Sequence, residues 1–422
     1  MKILIFVICC FIVGMQYVNA QQNTYVADLQ ELKTIIQKTK SYKSQIRGKK
    51  KRAYVKMYNK LLADTVTDAN SYQYFHNLVQ LVFPVRDNHL AFYQTPNANI
   101  YRSRASIDSF VQTASFSQYP AYSLNIDSLK NVLATKPATS VEGIYYYGKY
   151  YTVGVFNTKE KEYAGIILNS ELNFWTKGQV VLYLYEQKAG QYKAIYAHPY
   201  TKNFIFHTIE KYDHQSLVNS SFNFSFYKGV YAKQLTDTNF VNLPNGTPKF
   251  SMKNLDSHTQ YIAIRTFQTN SITSKLSQNF YDSIKGKLTA PNIILDLRDH
   301  EGGANHETKK YWKMLKAYAK KGKIYVIVNN GTLSQGEIFL LKLKRLKNVT
   351  VLGQTTKGML MYGSNYGKTL KLPSQQFAIY PTDMKGPGRL LQYEDNGVKP
   401  DIFLNPDKDW LNQVMEVINN IE

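Results

Sequence analysis

The chain is nearly without cysteine. Its two, Cys9 and Cys10, are adjacent and lie inside an N-terminal apolar run. Past that run no thiol remains, which excludes disulfide staples, thiolate metal sites and thiol nucleophiles together. Acidic residues are also scarce: 30 Asp and Glu stand against 52 Lys and Arg, a formal net charge of +22. Such an excess could attract nucleic acid, an anionic membrane surface or acidic peptides. No RNP, zinc-finger or helix-turn-helix signature accompanies it, so no nucleic-acid partner is expected. The densest cluster, Arg47-Gly-Lys-Lys-Lys-Arg52, is read as a solvated helix end and general surface charge, with weak association with anionic surfaces left open. Internal repeats and long low-complexity tracts are missing, and no apolar run is long enough to span a bilayer comfortably.

What is present begins with a leader. Met1-Lys2 precedes the apolar run Ile3 to Met15, and Val18-x-Ala20 follows. A charged start, an apolar core of this length and small residues at the end predict a secretory signal peptide over 1–20, cut near Ala20. Ile8 before Cys9 argues against a lipoprotein. Export is therefore expected, to periplasm, cell surface or medium.

Residues 21–135 form the next region. Leu29, Leu32, Ile35 and Ile36, then Phe75, Leu78 and Leu81, recur at helical spacing to about residue 82, and Pro84 ends the pattern. From 136 to 245 the runs become β-branched and aromatic, as in Tyr150-Tyr-Thr-Val-Gly-Val-Phe156 and Gln179-Val-Val-Leu-Tyr-Leu-Tyr185, with turn residues between. They predict an antiparallel β domain. The 34 tyrosines of the chain suit strands of this kind. Asn245-Gly246 marks a linker. From 246 to 422 strands and helices alternate: strands at 261–265, 292–298, 323–329 and 349–353, helices at 273–288, 306–321 and 335–347. Alternation of this kind predicts an α/β fold with a largely parallel core.

Three strand ends in the last region carry chemistry-bearing residues. Asp296-Leu-Arg-Asp-His-Glu-Gly-Gly303 places two glycines after a buried strand, where backbone N–H groups can approach a ligand. By itself this reads as a turn. In Asn329-Asn-Gly-Thr-Leu-Ser-Gln-Gly-Glu-Ile-Phe339, Ser334 falls at a helix start. Unpaired N–H groups and the helix dipole favour negative charge there. The plain alternative is an N-cap serine with Glu337 completing a capping box. Gln392-Tyr-Glu-Asp-Asn-Gly-Val-Lys-Pro-Asp401 reads, alone, as a surface loop.

Taken in order, these segments resemble the tail-specific (C-terminal-processing) serine peptidases. The matching residues are Asp296-Leu297-Arg298, Gly302-Gly303, Thr332-x-Ser334-x-x-Glu337-Ile338-Phe339, Val351-x-Gly353-x-x-Thr356-x-Gly358 and Glu394-x-x-Gly397-Val398-x-Pro400-Asp401. The resemblance implies a crotonase/ClpP-like α/β core, preceded here by the helical segment and an inserted antiparallel β domain. It implies Ser334 as nucleophile. One departure matters: where the lysine-dyad branch has its general base, this chain has Met359, and Lys357 lies two residues earlier. The tricorn-core-like branch instead uses a histidine in an upstream D-x-H element and a glutamate some sixty residues after the serine. Asp87-Asn88-His89 resembles the former, and Glu394 lies 60 residues after Ser334.

The implied chemistry is acyl transfer. His89 would take and return the hydroxyl proton, Glu394 would orient the imidazole, and the N–H groups of Gly303 and Gln335 would hold the oxyanion. No cofactor and no metal is implied; Asp299, His300, Glu301, His306 and Glu307 are read as loop residues rather than as a zinc set. No carboxylate-binding loop of a PDZ domain is evident. The expected substrate is a peptide or unfolded protein. The rivals are a non-catalytic relative that binds peptides or lipophilic ligands, and an esterase on the same fold.

Overall fold

In the computed structural model, residues 24–66, 68–235, 238–364 and 367–420 are described. The leader lies outside them. Contacts divide the chain into two units, Met1–Leu235 with Ser364–Met384 and Thr236–Gly363 with Lys385–Glu422.

The first unit opens with a helix over 24–38 whose Tyr25, Leu29, Leu32, Ile35 and Ile36 are all buried. That is the 3.6-residue period predicted. Thr39 interrupts it and caps the next helix, Lys40–Gln45, by accepting the Tyr42 N–H at 3.1 Å. Gly48, at φ +53°, turns the chain into the helix Lys49–Leu62. Ser71 caps the helix Tyr72–Val82, in which Phe75, Leu78, Val79, Leu81 and Val82 are buried. Each such side chain contributes about 1.5–3 kcal/mol when fully buried.

Strand β1 (Ala91–Gln94) begins two residues after His89 and pairs with the returning strand Phe377–Tyr380. Then come β2 (Gly143–Tyr147), β3 (Tyr151–Lys159), β4 (Glu162–Ser170), β5 (Val180–Lys188), β6 (Gln191–Ala197), β7 (Phe204–Asp213), β8 (Ser216–Leu217) and β9 (Tyr231–Ala232). Each of β2 to β9 is antiparallel to the next. Tyr146 on β2 pairs with Ala232 on β9 and closes the ring. The expected antiparallel sheet is thus a closed, eight-stranded, up-and-down barrel, which leaves its strands no free edge.

The second unit is a six-stranded sheet of β10 (Phe250–Asn254), β11 (Thr259–Ile264), β12 (Asn292–Asp296), β13 (Lys323–Val328), β14 (Val349–Gly353) and β15 (Ile402–Phe403), in that spatial order. All neighbours are parallel except the edge strand β10. Both faces are covered, as a parallel sheet requires. Ile293 and Leu295 of β12 pack with Phe339, Leu340 and Leu343 of the helix Gln335–Leu343. Ile294, between them, packs with Trp410, Val414 and Ile418 of the helix Trp410–Asn419. The Asp-Leu-Arg element is a brace: the Arg298 guanidinium donates from Nη2 to Asp296 at 2.7 Å, and Tyr261 donates to the same carboxylate at 2.9 Å.

Candidate active site

The chain leaves β13 and is at once tied to the loop after β12. Asn329 donates to the Asp299 side chain at 2.8 Å and accepts the Asp299 N–H at 2.9 Å. Thr332 donates to the Leu297 carbonyl at 2.7 Å, and the Leu333 N–H to the His300 carbonyl at 3.1 Å. Ser334 then takes φ +54° and ψ −120° and opens the helix Gln335–Leu343. A non-glycine residue held there costs about 1–3 kcal/mol. A strand, a strained turn with serine at its tip and a helix make the arrangement by which an elbow presents a nucleophile. An ordinary N-cap serine has extended backbone.

Glu337 is completely buried and holds this turn. Its Oε2 accepts the N–H of Ser334 at 3.1 Å and of Met359 at 2.9 Å. Its Oε1 accepts the Thr356 hydroxyl at 2.6 Å and the Gly358 N–H at 2.8 Å. One carboxylate therefore fixes the serine and the 356–359 loop together. The sequence reading of Glu337 as a cap accounts for only the first of these bonds.

The diglycine loop lies against Ser334. Gly302 has φ +79°, and a Cβ there would stand 2.8 Å from Ser334 Cβ and 3.3 Å from its Oγ. Gly303 has φ +131°, and a Cβ there would meet the Phe267 backbone at 2.0 Å. The bridge to Phe267 is made by the Gly302 carbonyl at 2.7 Å and the Ala304 N–H at 2.8 Å. The Gly303 N–H takes no part in that pair of bonds. Gln335 is the first helical residue, so its N–H has no intrahelical acceptor.

His300 supports the loop from beneath. Its Nδ1 accepts the Gly302 N–H at 3.0 Å, and its ring lies 4.4 Å from that of Phe267. A Cβ on Gly336 would come within 2.6 Å of Nδ1. Complete burial pushes the imidazole down to about 3, so it is neutral. An accepting Nδ1 places the proton on Nε2. Among the described residues, Nε2 has no hydrogen-bond partner. Sequence reasoning passed over His300 as an isolated loop histidine; its place between two strand-end loops is the signal that was missed.

Glu394 corrects an expectation. Its segment reads as a surface loop, yet its side chain is completely buried. The reason is the backbone it serves. Oε2 accepts the N–H of Leu360 at 3.1 Å and of Met361 at 2.8 Å. The two segments are joined elsewhere too: Asp395 N–H to the Gly358 carbonyl at 2.9 Å, Val398 N–H to the Thr356 hydroxyl at 2.7 Å. Gly397, at φ +73°, has no room for a Cβ, which would meet the Thr356 carbonyl at 2.1 Å. Met359, half-buried, has a thioether that cannot act as a base.

Ser334, Gly303, Gln335 and Glu394 all belong to the second unit, and His89 belongs to the first. Asp87, fully buried, accepts the His89 N–H at 3.3 Å and the Thr382 hydroxyl. Burial pushes the Asp87 carboxyl up to about 6. Burial also pushes the His89 imidazole down to about 4, which keeps it neutral at pH 7. Among the described residues no group of three His, Cys, Asp or Glu side chains converges as a metal site. Glu301 faces Lys249 at 3.7 Å and Glu307 faces Lys310 at 3.0 Å.

Residues 304–403, which include Ser334, Glu337, Met359 and Glu394, match the model of peptidase family S41. By that segment the chain is similar to peptidase family S41. The family is one of serine-type peptidases, and this chain has mixed helices and sheets together with the closed antiparallel barrel. Among solved structures this chain is similar to the photosystem II D1 C-terminal processing protease, at 13% identity over 93% of this chain and 97% of that one, TM-score 0.37. It is similar to mature CPAF at 10% identity over 95% and 98% of the two chains, TM-score 0.41. It is similar to the tricorn protease at 14% identity over 95% of this chain and 36% of that one, TM-score 0.41. Scores this low carry no argument, so the likeness to family S41 rests on the 304–403 match. No curated protein sequence matches the chain.

Proposed function

We propose that this protein is a serine peptidase of the S41 type that hydrolyses peptide or unfolded-protein substrates through an acyl-enzyme on Ser334, with His89 as general base and Glu394 as third member. The carrying observation is the backbone of Ser334: a serine at φ +54° on a strand-to-helix turn, against a diglycine loop that admits no side chain. His89 enters on the D-x-H resemblance and on Met359 standing where a dyad lysine would be. In the first half-reaction the Ser334 proton passes to His89 as Oγ bonds to the scissile carbonyl carbon. The oxyanion is held by the N–H groups of Gly303 and Gln335. The C–N bond then breaks and His89 returns the proton to the leaving amine. In the second half-reaction water, deprotonated by His89, attacks the ester and frees Ser334. Glu394 spends one oxygen on Leu360 and Met361; its other oxygen is assigned to the imidazole.

A base held near 4 stays neutral well below neutrality. The rate of acylation by a peptide ester is therefore expected to hold from about pH 8 to about pH 5.5 and to fall to half near pH 4. His89→Ala should lower that rate by at least about a hundredfold, with Lys357→Ala close to wild type. Loss on Lys357→Ala with His89→Ala harmless would replace the triad by a lysine base. Turnover of simple esters with no cleavage of any peptide would make the chain an esterase. Export follows the leader, and an N-terminus at Gln21 on the secreted chain is the check.

A further inference from the structure

The front of the first unit carries a concentration of charge that catalysis does not use. Between Glu31 and Asp64 the sequence has eleven Lys or Arg and no Asp or Glu. In the helix Lys49–Leu62 the buried residues are Tyr54, Tyr58 and Leu61, spaced by four and three. Lys49, Arg52, Lys56 and Lys60, spaced by three, four and four, run along the opposite side, and all four are exposed. They form a straight cationic stripe about 17 Å long at 1.5 Å per residue. None of the four has an ion-pair partner among the described residues.

The stripe works against its own helix. Lys49, Lys50, Lys51 and Arg52 occupy the first turn, which holds no acidic residue. Cations there oppose the helix dipole. Arg52, Lys56 and Lys60 are like charges at i,i+4, which also destabilises. A helix that contradicts local rules on the face it shows to solvent marks a place where something outside the fold favours the pattern.

We infer that this stripe docks the protein on an anionic lipid surface. Charge complementarity sets the class of partner. The choice between lipid and nucleic acid follows from what accompanies the charges. The helix's two aromatic rings, Tyr54 and Tyr58, are buried, so no platform is offered for stacking bases. Three of the four cations are lysines, compact charges suited to a diffuse anionic surface rather than to paired recognition of phosphates. No described helix is long and apolar enough to cross a membrane, so the contact is peripheral. Its strength is electrostatic and falls with salt. The docking is independent of the triad, so the two stand or fall separately.

The test is sedimentation of the purified chain with vesicles of phosphatidylcholine containing about a third phosphatidylglycerol, and with phosphatidylcholine alone. Binding to the first and not the second is expected, and it should be abolished by about 0.5 M salt. K49Q/R52Q/K56Q/K60Q should weaken it more than about tenfold, with an unchanged or raised melting temperature. K309Q/K313Q/K316Q/K320Q, which removes as much charge from the helix Asn305–Tyr318 and the turn after it, should change it less than about threefold. Equal losses in the two variants would overturn the proposal, and so would binding to neutral vesicles. Duplex DNA that outcompetes the anionic vesicles would make nucleic acid the partner. Should the fourfold variant lose its fold, single K56E and the wild-type salt titration decide: no weakening in either rejects the stripe.

Discussion

Buried tyrosines are concentrated in the first unit, where several hydroxyls bond to one another or to a nearby acceptor. Tyr151 and Tyr231 share a hydroxyl contact at 2.7 Å, and Tyr196 donates to the buried Glu210 at 2.8 Å. In the second unit the buried groups around Ser334 are carboxylates, and what they hold is backbone. Glu337 accepts from three N–H groups and a hydroxyl, and Glu394 from two N–H groups. The difference is one of tolerance. A phenol can give up its hydroxyl and still fill its volume. A carboxylate that gathers several donors leaves them all orphaned when it goes. The barrel has one such carboxylate, Glu210, which also accepts the N–H groups of Lys211 and Asn219 at 2.8 Å, whereas the second unit sets two around Ser334.

Glu337→Gln breaks that distinction hardest. The amide nitrogen cannot accept, so two of the four donors lose their acceptor. A loss of about 3–5 kcal/mol in urea unfolding is expected, with Ser334 no longer reactive. Gly302→Ala should separate reactivity from stability. Its Cβ would press on Ser334 at 2.8 Å from a backbone at φ +79°. Reactivity should fall at least about a hundredfold, against a stability change of about 1–3 kcal/mol.

His300 gives the comparison a pH dependence. Its folded value, about 3, lies below the ordinary histidine value of 6.5. The unfolded chain thus binds the extra proton first. The stability due to the neutral ring is whole above about pH 6.5 and is lost as pH falls toward 3. At about pH 4.5 that is about 2–3 kcal/mol. His300→Asn keeps an oxygen able to accept the Gly302 N–H and has nothing to titrate. Its urea midpoint should fall correspondingly less than wild type between about pH 7 and 4.5. A parallel fall in both proteins would remove His300 from the account. Smallest of all, Tyr231→Phe in the barrel should cost about 1 kcal/mol and leave Ser334 reactivity unchanged.

Much of this was legible in the residues. The order of strands and helices after 250 could be followed from apolar runs, because a sheet covered on both faces writes itself as continuous hydrophobic strands. Ser334 at a helix start was equally plain. Its positive φ was not, since serine carries no mark of it. Glu394 looked like a turn residue because its partners are backbone N–H groups of Leu360 and Met361, which no side-chain pattern reports. Closure of the barrel was hidden for a related reason: β8 and β9 are two residues each, too short to show a period. The pairing of β1 with Phe377–Tyr380 joins segments nearly 300 positions apart, beyond the reach of any local signal.

Intact-mass analysis and peptide mapping of the chain after reaction with a fluorophosphonate test the central claim most directly. One adduct, on Ser334, is predicted for wild type, and none for Ser334→Ala, which should also be unable to cleave an unfolded protein. An adduct on another residue, or a Ser334→Ala chain that still cleaves, would contradict it.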